Sequence, residues 1–249
     1  PQFGYDGFGE FVFYRTYSRT KEDGRMESWN DVVIRVTEGT FSIRKDWYKR
    51  NYIPWDEDFW QTYARNFAIS MLKMEWLPPG RGLWAMGSNY VYERGGMALQ
   101  NCGFSRVTNI SQDCHWIMDA LMNGVGVGFS PDRDDDLEIL NPIGKEDYVI
   151  PDTREGWCDS LRDQIECYFT GGRKPNFKYH EIRPAGLPIK GFGGIASGPE
   201  PLKEMHQRVD DFFYQYMMHD DYDSVRLKMD IVNSIGVCVV AGNVRRSAE

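Results

Sequence analysis

Five amphipathic stripes separated by short β-type runs restrict this chain to few architectures. Phe59, Tyr63, Phe67 and Met71 recur every four residues, with Asp56 placed to cap the helix and Pro78-Pro79 to stop it. A second stripe carries Ile117, Leu121 and Met122, opened by Ser111 and broken at Gly124. Trp157, Leu161, Ile165 and Tyr168 form a third, which ends at Gly171-Gly172. Leu202, Met205, Val209, Phe212 and Tyr216 form a fourth; the fifth opens at Ser224 and runs through Val225, Met229, Val232 and Ile235. Residues 32–36, 102–108, 125–129 and 177–182 read as strands. Strands alternating with helices predict an α/β fold with a largely parallel sheet. Residues 1–55 read as an N-terminal segment packed onto one continuous body, 56–249.

Composition removes several function classes. No stretch approaches the roughly 18 apolar residues of a spanning helix. With 29 basic and 37 acidic residues, the net charge of −8 excludes a broad electrostatic grip on nucleic acid. It leaves room for a local anion pocket, which needs only a few donors. Aromatic residues at 14% argue for a packed core. The start, Pro1-Gln2-Phe3-Gly4-Tyr5, has neither a basic segment nor an apolar signal core, and Pro1 in place of Met indicates a longer or processed chain. Five cysteines without a CxxC predict a reducing, cytoplasmic setting and free or redox-active thiols, with no zinc site. The four histidines lack metal-ligand spacing. The acidic run 132–136 reads as a solvated loop.

Six stretches are richer in Gly, Pro and Arg than plain connections require. They are Pro78-Pro79-Gly80-Arg81-Gly82-Leu83-Trp84, Gln100-Asn101-Cys102-Gly103-Phe104 and Asn123-Gly124-Val125-Gly126-Val127-Gly128-Phe129, then Pro151-Asp152-Thr153-Arg154-Glu155-Gly156-Trp157, Gly191-Phe192-Gly193-Gly194-Ile195-Ala196-Ser197-Gly198-Pro199 and Val240-Ala241-Gly242-Asn243-Val244-Arg245-Arg246-Ser247. The alternate glycines from Gly124 allow either close ligand approach or tight helix–strand packing. They match neither a Walker A loop nor the dinucleotide fingerprint. The loop before Pro199 suits phosphate at a helix start, or Ser197 simply caps that helix. Arg81, Arg183, Arg245 and Arg246 fit a forked clamp on carboxylate or phosphate, or surface ion pairs. Cys102 reads from composition as a buried, inert thiol. Cys114, Cys158, Cys167 and Cys238 read as fillers.

Taken together and in this order, the six stretches resemble the adenosylcobalamin-dependent (class II) ribonucleotide reductases, closest to the monomeric ribonucleoside-triphosphate branch. The resemblance runs from about residue 11 to residue 249, with Phe13-Tyr14-Arg15-Thr16-Tyr17-Ser18-Arg19 and Glu27-Ser28-Trp29 similar to the family's N-terminal helical segment. It implies the N-terminal part of a ten-stranded α/β barrel, built from two five-stranded parallel halves set antiparallel. It implies reduction of ribonucleotides, triphosphates in that branch, to 2′-deoxyribonucleotides. Cobalamin cleavage makes a thiyl radical on a barrel-centre cysteine, the radical removes the 3′ hydrogen, and two further cysteines supply electrons and close into a disulfide. Residue by residue, Cys102 resembles the first of that reducing pair. Asn101 and Gly124 resemble positions flanking the substrate, and Arg81 lies in a loop of the same rim. Ser111, Gln112 and Asp113 resemble the helix start that contacts a deoxynucleoside triphosphate effector. The stretch 183–191, with Arg183 and Lys190, resembles the loop between effector and substrate, within an effector-binding region of about 111–199. The stretch 151–157 resembles an insertion of the monomeric branch that replaces a dimer contact.

The radical-bearing Cys, the second reducing Cys, the cobalamin-binding residues and a C-terminal cysteine pair would follow Glu249, and an ATP-binding cone has no counterpart. The resemblance therefore implies the N-terminal half of a split or intein-interrupted reductase. It would work with a complementary C-terminal half and a thioredoxin-like reductant, without nucleic acid or membrane. The competing reading is a nucleotide-binding regulatory module that has lost catalysis.

Overall fold

A computed structural model describes residues 3–135, 137–187 and 195–241. The chain divides into two compact units, Pro1–Gln100 and Asn101–Glu249. The first is helical: α1 (Phe8–Thr16), α2 (Trp29–Arg50), α3 (Glu57–Leu72), α4 (Gly80–Ala85) and α5 (Asn89–Arg94).

The run 32–36, expected as a strand, lies inside α2. Its β-branched residues suggested extended chain, but Trp29, Val32, Val33 and Val36 recur at helical spacing and are all buried. A capping box opens the helix: the Ser28 hydroxyl accepts from the Asp31 N–H, and the Asp31 carboxylate accepts from the Ser28 N–H. The stripe packs with Phe13, Met71 and Leu83 into one cluster, each large side chain stabilising by roughly 1.5–3 kcal/mol on full burial. The Trp29 indole N–H donates to the Leu72 carbonyl at 3.1 Å. Further along, Phe41 packs edge-on against Tyr63 and Phe67 and at a tilt against Trp60. Residue 55, read as the end of a separate segment, thus sits between two helices that share a core.

Two devices hold the stretch around α4. Arg35 makes a bidentate pair with Glu27 at 2.7 and 2.9 Å and donates to the Met86 and Leu83 carbonyls at 2.6 and 2.9 Å. Gly39 meets Gly87 backbone to backbone: a Cβ on Gly39 would lie 2.4 Å from the Gly87 Cα.

The second unit contains two β-α-β segments. Strand β1 (Cys102–Arg106), α6 (Ile110–Met122) and β2 (Gly126–Ser130) form the first; β3 (Lys145–Val149), α7 (Arg154–Thr170) and β4 (Lys174–Lys178) form the second. Both pairs are parallel, running from Cys102↔Gly126 to Arg106↔Ser130 and from Lys145↔Lys174 to Val149↔Lys178. Such pairing requires a crossover, which each helix supplies. Two strands fall close to their expected positions, whereas β4 begins three residues before the expected 177. Strand β3 gave no apolar signal because it is almost wholly exposed. Helices α8 (Glu200–Met218) and α9 (Ser224–Ala241) complete the unit. The buried face of α8 carries Leu202, Met205, Val209 and Phe213, so Phe213 takes the core place expected of Phe212. The chain is an α/β protein with two separate two-stranded parallel sheets among the described residues. Among the described residues, no helix is long and apolar enough to cross a membrane.

A polar network ties α7, β4 and α8 together. His206, 3% exposed, stacks on Phe177 and hydrogen-bonds through Nε2 to Ser160 at 3.1 Å and through Nδ1 to Tyr179 at 2.8 Å. Asp210 accepts from Gln164 and Tyr168 and pairs with Lys174 at 2.7 Å. Burial drives the His206 pKa down to about 3, so the ring is neutral at ordinary pH.

Candidate functional site

Strand β1 alternates between two environments. Cys102, Phe104 and Arg106 face solvent, while Gly103 and Ser105 are partly covered. The register partner of Cys102 is Gly126 and that of Phe104 is Gly128. Two positions without side chains therefore run beside the thiol. Phe104, 65% exposed, stands over Gly128. The Asn101 carbonyl accepts the Gly126 N–H at 2.9 Å and fixes where the pairing starts.

Cys102 is exposed and the other four cysteines are buried, which overturns its composition-based reading as an inert core thiol. Burial pushes the Cys167 and Cys238 thiols up to about 12 and raises those of Cys114 and Cys158 as well. The thiolate is the reactive form, so these four are chemically silent near neutral pH. Only Cys102 can meet a second molecule.

Helix α6 supports this strand pair. Its C-terminus closes as a Schellman turn: the Gly124 N–H donates to Leu121 at 2.7 Å and the Val125 N–H to Ala120 at 3.0 Å. Gly124 has φ +73°, a conformation natural to glycine. This turn leads directly into β2. A Cβ on Gly103 would lie 3.0 Å from Trp116 Cη2 on α6.

The N-terminus of α6 corrects the expectation for Ser111. Asn109 is the cap, accepting from the Gln112 N–H at 3.2 Å. Asp113 answers by accepting the Thr108 and Asn109 N–H groups, both at 2.8 Å. Ser111 lies two residues too deep to cap. It is 1% exposed and sits 2.9 Å from Asn109 Oδ1 and 2.6 Å from Glu166 Oε2. Of the three residues expected at an effector, Gln112 alone is exposed. They lie beyond the far end of β1 from Cys102, about 13 Å along a five-residue strand.

Arg183 donates to Asp152 at 2.6 Å, just before α7. Lys190, Gly193, Gly194, Arg245 and Arg246 lie outside the described residues. Ser197 donates to the Gly198 carbonyl and does not cap α8, whose N-cap is Pro199. Arg81 belongs to the first unit, where it donates to the Ala98 carbonyl at 3.4 Å. Asp132 is no freely solvated residue of an acidic loop. Its carboxylate accepts from Ser130 and Arg106, which hold its pKa below the usual range, and its carbonyl accepts from buried Lys228 at 2.8 Å. Among the described residues, no three His, Cys, Asp or Glu side chains are grouped to hold a metal ion. The site thus brings Asn101, Cys102 and Gly124 together through one β-α-β segment. Sequence reasoning missed Asn109 and Trp116; the Asn109-to-Asp113 spacing was the available signal for the first.

Known proteins resemble this chain in two separate stretches. Residues 1–88 match the family model described as ribonucleotide reductase alpha domain, and residues 130–213 match that of the B12-dependent ribonucleotide reductase insertion domain. The chain is similar to the B12-dependent (class II) ribonucleotide reductases over both of these stretches. The Euglena gracilis adenosylcobalamin-dependent ribonucleoside-triphosphate reductase is 38% identical over 258 residues, covering 100% of this chain and 35% of that protein. A Dictyostelium discoideum relative named for the same activity is 36% identical over 270 residues, covering 99% of this chain and 35% of its own length. The crystal structure of a B12-dependent (class II) ribonucleotide reductase superposes with a TM-score of 0.74 at 28% identity, over 95% of this chain and 41% of that one. The chain spans 35% of the length of the two relatives. The reductase insertion match contains α7, β4 and the His206 network.

Proposed function

We propose that this chain is the part of an adenosylcobalamin-dependent ribonucleoside-triphosphate reductase that carries one reducing thiol, part of the substrate site and the effector site. The reaction replaces the 2′-hydroxyl of a ribonucleotide with hydrogen. Two thiols lose two electrons and close into a disulfide, and the hydroxyl leaves as water. Cys102 is the thiol assigned to this pair. Its partner belongs to a complementary part of the reductase, and a thioredoxin-like protein restores both. The observation that carries the reading is the exposure of Cys102, and of no other cysteine, beside the glycines of β2 in a chain similar to these reductases.

Asn101 and Gly124 are assigned to the substrate next to that thiol, and Arg81 to substrate binding from the first unit. The start of α6 with Gln112 and Asp113, together with Arg183 and Lys190, is assigned to a deoxynucleoside triphosphate effector. Ser111 enters that assignment as a buried brace between α6 and α7, since its hydroxyl is held by Asn109 and Glu166. Adenosylcobalamin, which would supply the radical chemistry, is assigned mainly to the complementary part of the reductase, as the family resemblance implies.

The test uses the chain together with that complementary part. Cys102→Ser should abolish multiple turnover with the thiol reductant while Co–C cleavage persists; undiminished turnover overturns the assignment. In the same assay, Gln112→Ala should blur which base each effector selects, against a coupling of about 1–3 kcal/mol.

A further inference from the structure

Behind Cys102 the chain is supported at a single crowded point. Gly103 follows it on β1 and faces the opposite way, towards α6. A Cβ there would stand 3.0 Å from Trp116 Cη2, 3.8 Å from Trp116 Cζ2 and 3.5 Å from Val125 Cγ1. The first distance is shorter than ordinary van der Waals contact, so the far edge of the indole fills the space a side chain at position 103 would need.

The helix that carries Trp116 cannot easily slide away. Asn109 and Asp113 bind its first turn to the residues that leave β1, and the Gly124 turn binds its last turn to β2. Strand β2 is in turn locked to Asn101 by the Gly126 N–H. The indole therefore sits inside a closed frame, and the free side of that frame is the one bearing the thiol.

We propose that Trp116 is a positioning residue that sets the height of the Cys102 thiol above the strand pair, and that position 103 is glycine because the indole leaves no room there for a Cβ. The catalytic consequence rests on the reductase reading; the mechanical one does not. Gly103→Ala must push either the ring or the strand by a few tenths of an ångström. Trp116→Phe removes the benzo edge that carries Cη2 and Cζ2, so it should make room for the alanine.

The experiment measures alkylation of Cys102 by iodoacetamide in the native chain, read by peptide mass. Gly103→Ala should change the rate about fivefold, and Trp116→Phe added to it should return the rate to within about twofold of the parent, the non-additivity of directly touching residues. An unchanged rate in Gly103→Ala overturns the proposal, as does a double variant no closer to the parent than the single one. If Gly103→Ala does not fold, Trp116→Phe alone decides: the rate should change about threefold or more with the native far-UV spectrum kept, and an unchanged rate overturns the proposal. In the assembled reductase, Gly103→Ala should lower kcat and leave KM near the parent value. If alkylation responds as expected and turnover does not, the positioning role is upheld and the reductase role of Cys102 is what fails.

Discussion

Replacing Arg35 by methionine should cost the first unit more than any single apolar truncation on its surface. The Arg35 side chain is 12% exposed and that of Glu27 9%, so solvent screens the pair little. Methionine keeps most of the aliphatic stem but removes four hydrogen bonds: two to Glu27 and one each to the Leu83 and Met86 carbonyls. The Arg19 N–H, at 3.1 Å, remains on the Glu27 carboxylate. Stranding one partner of a buried pair costs about 3–5 kcal/mol, a shift of two to three orders of magnitude or more in the folding equilibrium. The damage should appear first at α4, whose C-terminal carbonyls lose their donor. Hydrogen exchange at residues 83–88 together with urea unfolding measures both effects. Glu27→Gln in the Arg35→Met background should recover part of the loss, because it removes the stranded charge. A loss below about 1 kcal/mol, the scale of an exposed pair, would refute the reasoning and assign the cohesion of this region to the apolar cluster alone.

Two further outcomes can be measured on the same chain. The folded pKa of His206, about 3, lies below the unfolded value near 6.5. Stability is then complete above pH ~6.5 and falls by up to ~1.4 kcal/mol per pH unit as the unfolded state takes up a proton between pH 6.5 and 3; His206→Asn should flatten that window in acid titrations of unfolding, and an unchanged slope would contradict it. Gly124→Ala should cost about 1–2 kcal/mol by thermal unfolding, because alanine is strained at φ +73°; a neutral effect would mean that the Schellman turn does not hold β2 in register.

Much of the second unit was legible in its periodicity, since α6, α7, α8 and α9 each bury a stripe repeating every three or four residues. Strands β1 and β2 stood out because Gly and β-type residues bracket a strong helix. Residues 32–36 misled because β-branched content outweighed a capping box that was written in Ser28 and Asp31. Strand β3 was invisible: Lys145-Glu146-Asp147 points to solvent, and only pairing with β4 makes it extended. The candidate site was legible as a motif and not as a geometry. Nothing local tells that Cys102 is exposed while four other thiols are buried, because exposure depends on what stands behind the strand. Trp116 lies thirteen positions after Gly103, and its contact exists only once the crossover closes. The Ser111 cap failed for a simpler reason: two polar residues compete for the same helix end, and the earlier one, Asn109, has the extended backbone a cap requires.

The two crossover segments have a consequence for biosynthesis. Each parallel pair joins residues within about thirty positions of each other, as Cys102 with Gly126 and Lys145 with Lys174, so the entropy of closing each loop is modest for a parallel sheet. At about 5–20 residues per second of translation, the first pair can close on the ribosome before α8 and α9 have been made. The Cys102 thiol, exposed in the finished fold, would then face solvent from early in synthesis, so oxidants met during translation can reach it before the rest of the unit has folded.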